Sequence, residues 1–292
     1  MTYRDCILIL FFLLTFSSAS HAELIVTYPK PQSEHDIRYN DIIELLKLSL
    51  EATRETHGSY TLQPSENVMS EKRQFSQLDK GKDISIMWSS TSKELETKFI
   101  PIRIPLRKGL LGYRVSLINS DQQEKIDKIK TLADLKVITI GQGIGWGDVA
   151  IYKSNGIKVM EAGYDGLFKM VAANRFDLFP RGINEAFVEY QVQISATPGL
   201  AIEQNLLIIY PWPYYFFTNK NNAALAEQIE IGLRSIITDG SFDKLFLSYN
   251  EESIKKANIV GRRIIRIENS ILPDTVPLDD KSLWFDPLID LK

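Results

Sequence analysis

Twice along this chain, short apolar runs alternate with stretches of helical periodicity, and that repeat restricts the fold more than any other feature. The first series opens with a β run at 24–28, closed by Pro29 and Pro31. Residues 41–53 place apolar side chains at 42, 43, 46 and 50, all on one helical face. Asn40 or Asp41 can cap that helix, and Gly58 stops it. A strand at 60–62, a helix at 71–78 and a strand at 83–87 complete a β-α-β-α-β order, which implies a parallel sheet with helices on its faces. The second series has a helical lead-in at 132–135, a buried strand at 137–140 and a glycine-rich turn at 141–147. A helix at 148–154, a strand at 158–160, a helix at 166–174, a strand at 176–179 and a helix at 184–192 follow. The run 206–210 begins a return path, and helices at 223–237 and from Ser241 onward close the globular part. The expected fold is α/β with two lobes, each a parallel or mixed sheet flanked by helices, joined by crossings near 113–118 and 208–218. Ligands in open α/β sheets bind beyond the carboxyl ends of the strands, so facing lobes put a site in the cleft between them.

The amino end sets the expected compartment. Residues 7–16 read ILILFFLLTF, too short for the roughly 20 residues of a membrane-spanning helix. Ser20-x-Ala22 supplies the small residues a signal peptidase accepts, so cleavage after Ala22 and export to the periplasm are expected. The only cysteine, Cys6, leaves with that leader. A mature chain of about 270 residues without disulfides is long enough to rely on its core.

Charge and motifs exclude several classes. The net charge is −3, and the basic residues are scattered in short pairs such as Arg107-Lys108 and Arg262-Arg263. No basic face suggests nucleic acid. His35 and His57 stand in no metal-ligand spacing, and no metal or other cofactor is expected. No P-loop, Gly-x-Ser-x-Gly or Ser-His-Asp order occurs. Glycines at 141, 143, 145 and 147 have the wrong spacing for a dinucleotide loop. The usual sources of catalysis are absent, and no enzymatic activity is expected.

Four segments carry a family resemblance. They are Gly112-Tyr-Arg114-Val-Ser-Leu-Ile, Thr131-Leu-Ala-Asp-Leu-Lys-Val-Ile-Thr-Ile-Gly-Gln-Gly, Met170-Val-Ala-Ala-Asn-Arg-Phe-Asp177 and Asp239-Gly-Ser-Phe-Asp-Lys-Leu245. In this order the chain resembles the periplasmic solute-binding superfamily, in its amino-acid-type branch (family 3, type II fold), over residues 24–250. The resemblance implies hinge closure on a small-molecule ligand by a monomer that an ABC-type permease or a membrane sensor then reads. It also implies that Arg114 grips a ligand carboxylate, since a guanidinium offers two parallel donors; Arg103 and Arg107 are alternatives. The turn at 143–147 resembles the family's anion-facing loop, with Gly145 and Trp146 as backbone donors and Trp146 as an apolar wall. In the first lobe Tyr28, Trp88 and Ser89 end strands that face the cleft and are candidate ligand contacts.

One departure bears on the ligand. Where many members carry an acid for the α-ammonium, this chain reads Phe179-Pro180-Arg181-Gly182. Either Glu185 substitutes, or the solute is anionic and Arg181 is a second grip; the second is the expectation. An enzyme on this fold, dehydratase-like, would need a cleft carboxylate, for which Glu185 and Asp148 are the candidates. The expected organisation is a leader at 1–22, first lobe at 23–114, second lobe at 115–212, a return to the first lobe at 213–259, and an extended strap at 260–292.

Overall fold

The computed structural model describes residues 23–32, 36 and 38–286. The expected leader with Cys6, the residue His35 and the tail residues 287–292 lie outside them.

The first lobe is built from β1 (Leu24–Tyr28), α1 (Asn40–Ala52), the single turn α2 (Arg54–His57), β2 (Tyr60–Pro64), α3 (Glu71–Asp79), β3 (Ile86–Ser90), α4 (Lys93–Lys98) and β4 (Phe99–Ile102). The second follows with β5 (Tyr113–Asn119), short α5 (Gln123–Ile126) and α6 (Leu132–Leu135), β6 (Thr139–Gly143), α7 (Asp148–Ser154), β7 (Lys158–Ala162), α8 (Tyr164–Ala172), β8 (Phe179–Gly182), α9 (Ile183–Gln193), β9 (Leu200–Ile202) and β10 (Leu206–Ile209). The chain returns through β11 (Tyr214–Asn219), α10 (Ala223–Thr238) and α11 (Ser241–Ala257), and then adds β12 (Arg263–Arg266).

In the first lobe β1 and β2 pair in parallel, while β11 runs antiparallel between β3 and β4, with Phe216 opposite both Trp88 and Ile102. In the second, β5 runs antiparallel to β8, β9 and β10, and β12 extends the sheet in parallel beyond β10. The parallel pair β6–β7 joins through a bridge from Ile140 to Leu178. The strip expected as an extended strap therefore begins as sheet.

Helical spacing accounts for the first-lobe core. Ile42, Leu46 and Leu50 of α1 meet Leu225, Ile229, Leu233 and Ile236 of α10 in one buried cluster. Each such side chain contributes about 1.5–3 kcal/mol on leaving water. Gly232 lets the two helices touch, because a Cβ there would stand 1.9 Å from the Ser49 carbonyl oxygen.

The crossing between lobes depends on a similar close approach. The Tyr210 amide donates to the Gly112 carbonyl at 3.1 Å, and a Cβ on Gly112 would lie 1.9 Å from the Tyr210 carbonyl oxygen. That atom is backbone and cannot swing away. Gly112→Ala is expected to cost about 1–3 kcal/mol by overpacking, seen as a lower urea midpoint with an unchanged slope.

Candidate functional site

The second-lobe half of the site grows from the pairing of β5 with β8, which sets Arg114 opposite Gly182 and Val115 opposite Arg181. Both guanidinium groups are buried. Arg114 meets Asp148 at 2.9 Å and Glu185 at 3.6 Å, and lies over the Tyr210 ring. Arg181 donates to both oxygens of Glu189, at 2.6 and 2.7 Å, and approaches Glu185 at 3.2 Å. Its guanidinium stacks on the Trp146 indole, 4.6 Å from the centroid. The Tyr210 hydroxyl donates to Asp148, and the Tyr164 hydroxyl to Glu189.

Both expected anion grips already have partners within the chain. Arg114 and Arg181 face three carboxylates of their own chain, so the cluster carries one net negative charge. An incoming anion would have to displace a buried ion pair, which the low dielectric makes costly. The alternatives are paired too, Arg103 with Glu96 and Arg107 with Asp41.

Glu185 is the accessible member, with 32% of its side chain exposed, against 14% for Glu189 and 7% for Asp148. It opens α9, where it accepts the Gly182 amide at 2.9 Å. Its deep position pushes its pKa up, but Arg181 and then Arg114 outweigh that and hold it below the usual carboxylate value. It stays ionised at neutral pH, which suits holding a cation and not donating a proton. Close by, the Arg114 Nε, Gln142 Oε1 and Asn184 Oδ1 atoms are buried without partners among the described residues, and such groups call for something to bond.

The glycine-rich turn also differs from the expected anion loop. β6 runs on through Gly143. A Cβ on Gly141 would meet the Phe176 ring at 2.2 Å, one on Gly143 the Trp146 ring at 2.2 Å, and one on Gly147 the Trp212 ring at 2.6 Å. Three glycines thus make room for the chain's own aromatic rings. Gly145 has φ +78° and open space beside it, so it serves the turn itself. The Trp146 amide is already donated to the Gly143 carbonyl, and the Trp146 ring packs on Phe179 and Arg181.

The first-lobe half is a cavity of about 250 Å³ at the carboxyl ends of β1 and β3, walled by Trp88, Tyr39 and Tyr214, with Glu71 and Arg38 on its rim. Tyr28 stands 6.3 Å from Trp88, ring to ring, and Tyr39 stands 5.5 Å from it. Ser89 is buried and donates to Glu71 at 2.7 Å, so it orients that carboxylate from behind. Tyr214 packs against the cores of both lobes. Arg107, from the first lobe, is among the charges that lower the Glu185 pKa. A larger hollow of about 370 Å³ in the first lobe is lined by Thr27, residues 79–85, Asn219, Asn221 and Asn222.

Of the sequence candidates, Tyr28, Trp88 and Ser89 gather in one half, and Arg114, Trp146 and Arg181 in the other, with Gly145 at the turn beside it. Sequence reasoning missed Tyr39, Glu71, Tyr214 and Glu189. Tyr39 and Glu71 precede or open helices that follow strand ends, which was the available signal. Among the described residues no group of three or more His, Cys, Asp or Glu could hold a metal ion.

No protein-family model and no curated protein matches the chain. Solved structures do. The probable amino-acid ABC transporter extracellular-binding protein YtmK of Bacillus subtilis aligns with TM-score 0.56 at 17% identity, over 78% of this chain and 98% of that one. YckB of Bacillus subtilis aligns with TM-score 0.53 at 17% identity, over 85% and 97%. An ancestral arginine-binding protein bound to arginine aligns with TM-score 0.50 at 18% identity, over 78% and 98%. The chain has the two-lobed fold of the periplasmic binding proteins.

Proposed function

We propose that this chain is an exported solute-binding protein that closes on a small polar, amine-bearing molecule between its lobes. The observation that carries the reading is Glu185, an ionised, part-exposed carboxylate of the second lobe, taken together with the aromatic-walled cavity of the first. A carboxylate accepts charge-assisted hydrogen bonds from an ammonium group, and the rings of Trp88 and Tyr214 in the first-lobe cavity can add cation–π attraction. This is the branch in which Glu185 takes the place of the acid missing at Arg181, and it replaces the expected anionic solute. Delivery to an ABC-type importer or a membrane sensor is the role that fits such capture, and the amino-acid transporter protein among the structural neighbours is in keeping with it.

Titration calorimetry against a panel of amines, amino acids and amine-free carboxylates tests the proposal. Glu185→Gln keeps the shape and removes the charge. It is expected to weaken binding of the amine-bearing solute by about 10- to 100-fold, the loss of one hydrogen bond to a charged group at roughly 1.5–3 kcal/mol. Unchanged affinity would remove Glu185 from the site.

A further inference from the structure

The segment that follows β12 ties the two lobes together. Ile267 donates its amide to the Ile209 carbonyl at 2.9 Å, and Ile267 and Ile271 pack in the second-lobe core. The Asn269 side chain donates to the Pro211 carbonyl, within the crossing segment itself. The chain then reaches the first lobe, where the Thr275 hydroxyl donates to Glu96 of α4 at 2.8 Å. Its end turns back onto the hinge. Leu283 is buried in the first-lobe core, and Phe285, two residues on, in a cluster that joins Tyr113 and Leu207 of the second lobe to Phe246 of α11.

Between them the Trp284 ring covers Gly109, so closely that a Cβ there would stand 2.5 Å from it. Its indole N–H donates to the Pro277 carbonyl. The Phe285 amide donates to the Lys108 carbonyl, and the Phe285 carbonyl accepts the Tyr113 hydroxyl at 2.6 Å. Lys108 and Gly109 lie just before the first crossing, and Tyr113 begins it.

Hinge opening rotates one lobe against the other about a few residues, and contacts anchored on both sides must break or follow. α11 already packs on second-lobe residues through Phe246, Ile254 and Ala257, and the strap adds a further tie whose packed side chains are anchored in both cores. We propose that residues 267–286 form a strap across the hinge that limits how far the lobes open and slows the release of bound solute. Its effect on release rests on the proposed function, whereas its effect on lobe separation does not.

Spin labels at the exposed residues Lys47 of the first lobe and Lys158 of the second, each replaced by cysteine, report the distance between lobes. The double variant Thr275→Ala with Trp284→Ala loosens the first-lobe end of the strap. Should that variant fail to fold, a protease site inserted after the exposed Ser270 allows the strap to be cut in the folded protein. The expected result is a broader, longer distance distribution without solute, and several-fold faster solute release by stopped flow. Distributions that stay the same after both loosening and cutting would overturn the strap. A distribution that broadens in a protein binding none of the solutes would support the strap and count against the solute-binding reading alone.

Discussion

Arg262→Met is expected to lower the unfolding free energy by about 3–5 kcal/mol, the cost of leaving a buried charge without its partner. Arg262 and Glu203 meet at 3.0 Å with side-chain exposures of 2% and 0%. The guanidinium also donates to the carbonyls of Ala257, Glu203 and Leu206, and so ties the end of α11 to the strand below it. Glu203 in turn accepts the Leu206 and Asn205 amides and the Gln123 side chain. Removing Arg262 strands this carboxylate in the interior. The double variant Glu203→Leu with Arg262→Met removes the stranded charge and is expected to regain part of the loss, though the Leu206 amide stays unpaired. Urea unfolding of the parent and the two variants checks this. A single variant within about 0.5 kcal/mol of the parent, the range of ordinary surface changes, would show that the pair holds nothing together.

Alkaline pH is expected to unfold the chain cooperatively. Burial pushes the phenols of Tyr152, Tyr210 and Tyr215 above their usual value near 10, and all three are at most 1% exposed. The folded state therefore holds these protons more tightly than the unfolded state. The stability they contribute is complete below about pH 10, the unfolded value, and is lost as the pH rises toward the higher folded values. Each group removes about 1.4 kcal/mol per pH unit in that window, so the three together remove about 4 kcal/mol per unit. That is a large part of the roughly 5–15 kcal/mol of a typical fold. Phenolate absorbance and far-ultraviolet circular dichroism, followed together, are expected to change in one step for these side chains. Complete phenolate formation before any loss of dichroism would contradict the burial described.

The architecture was legible because amphipathic period reports burial directly. The helices expected at 148–154, 223–237 and 184–192 match α7, α10 and α9 within a residue at either end. Strands were less legible, because pairing, not local composition, fixes their ends. The strand expected at 176–179 is displaced to Phe179–Gly182, where β8 finds its partner in β5, and the one expected at 83–87 to Ile86–Ser90, opposite β11. β4 was hidden by Pro101, which is tolerated because that strand lies at the edge of its sheet. β12 was hidden inside a stretch whose later prolines suggested an extended tail.

Which candidate residues come together was more legible than how their charges pair. Sequence placed Arg114, Trp146, Arg181 and Glu185 in one neighbourhood. It could not show that Glu189, eight residues beyond Arg181 and two helical turns into α9, folds back to take that guanidinium with both oxygens. Nor could it show that Asp148 closes on Arg114 from another strand-helix unit. The packing at the glycines 141, 143 and 147 was hidden for a related reason: the rings beside their missing Cβ positions come from Phe176, Trp146 and Trp212, distant or ambiguous in sequence.

The most direct test of solute capture is calorimetric titration of the mature chain with the amine panel, run beside small-angle scattering. The expected result is saturable binding of an amine-bearing solute, a smaller radius of gyration on saturation, and a shift of both to about 10- to 100-fold higher solute concentration in Glu185→Gln. Tight binding of an amine-free carboxylate that survives Glu185→Gln would contradict it.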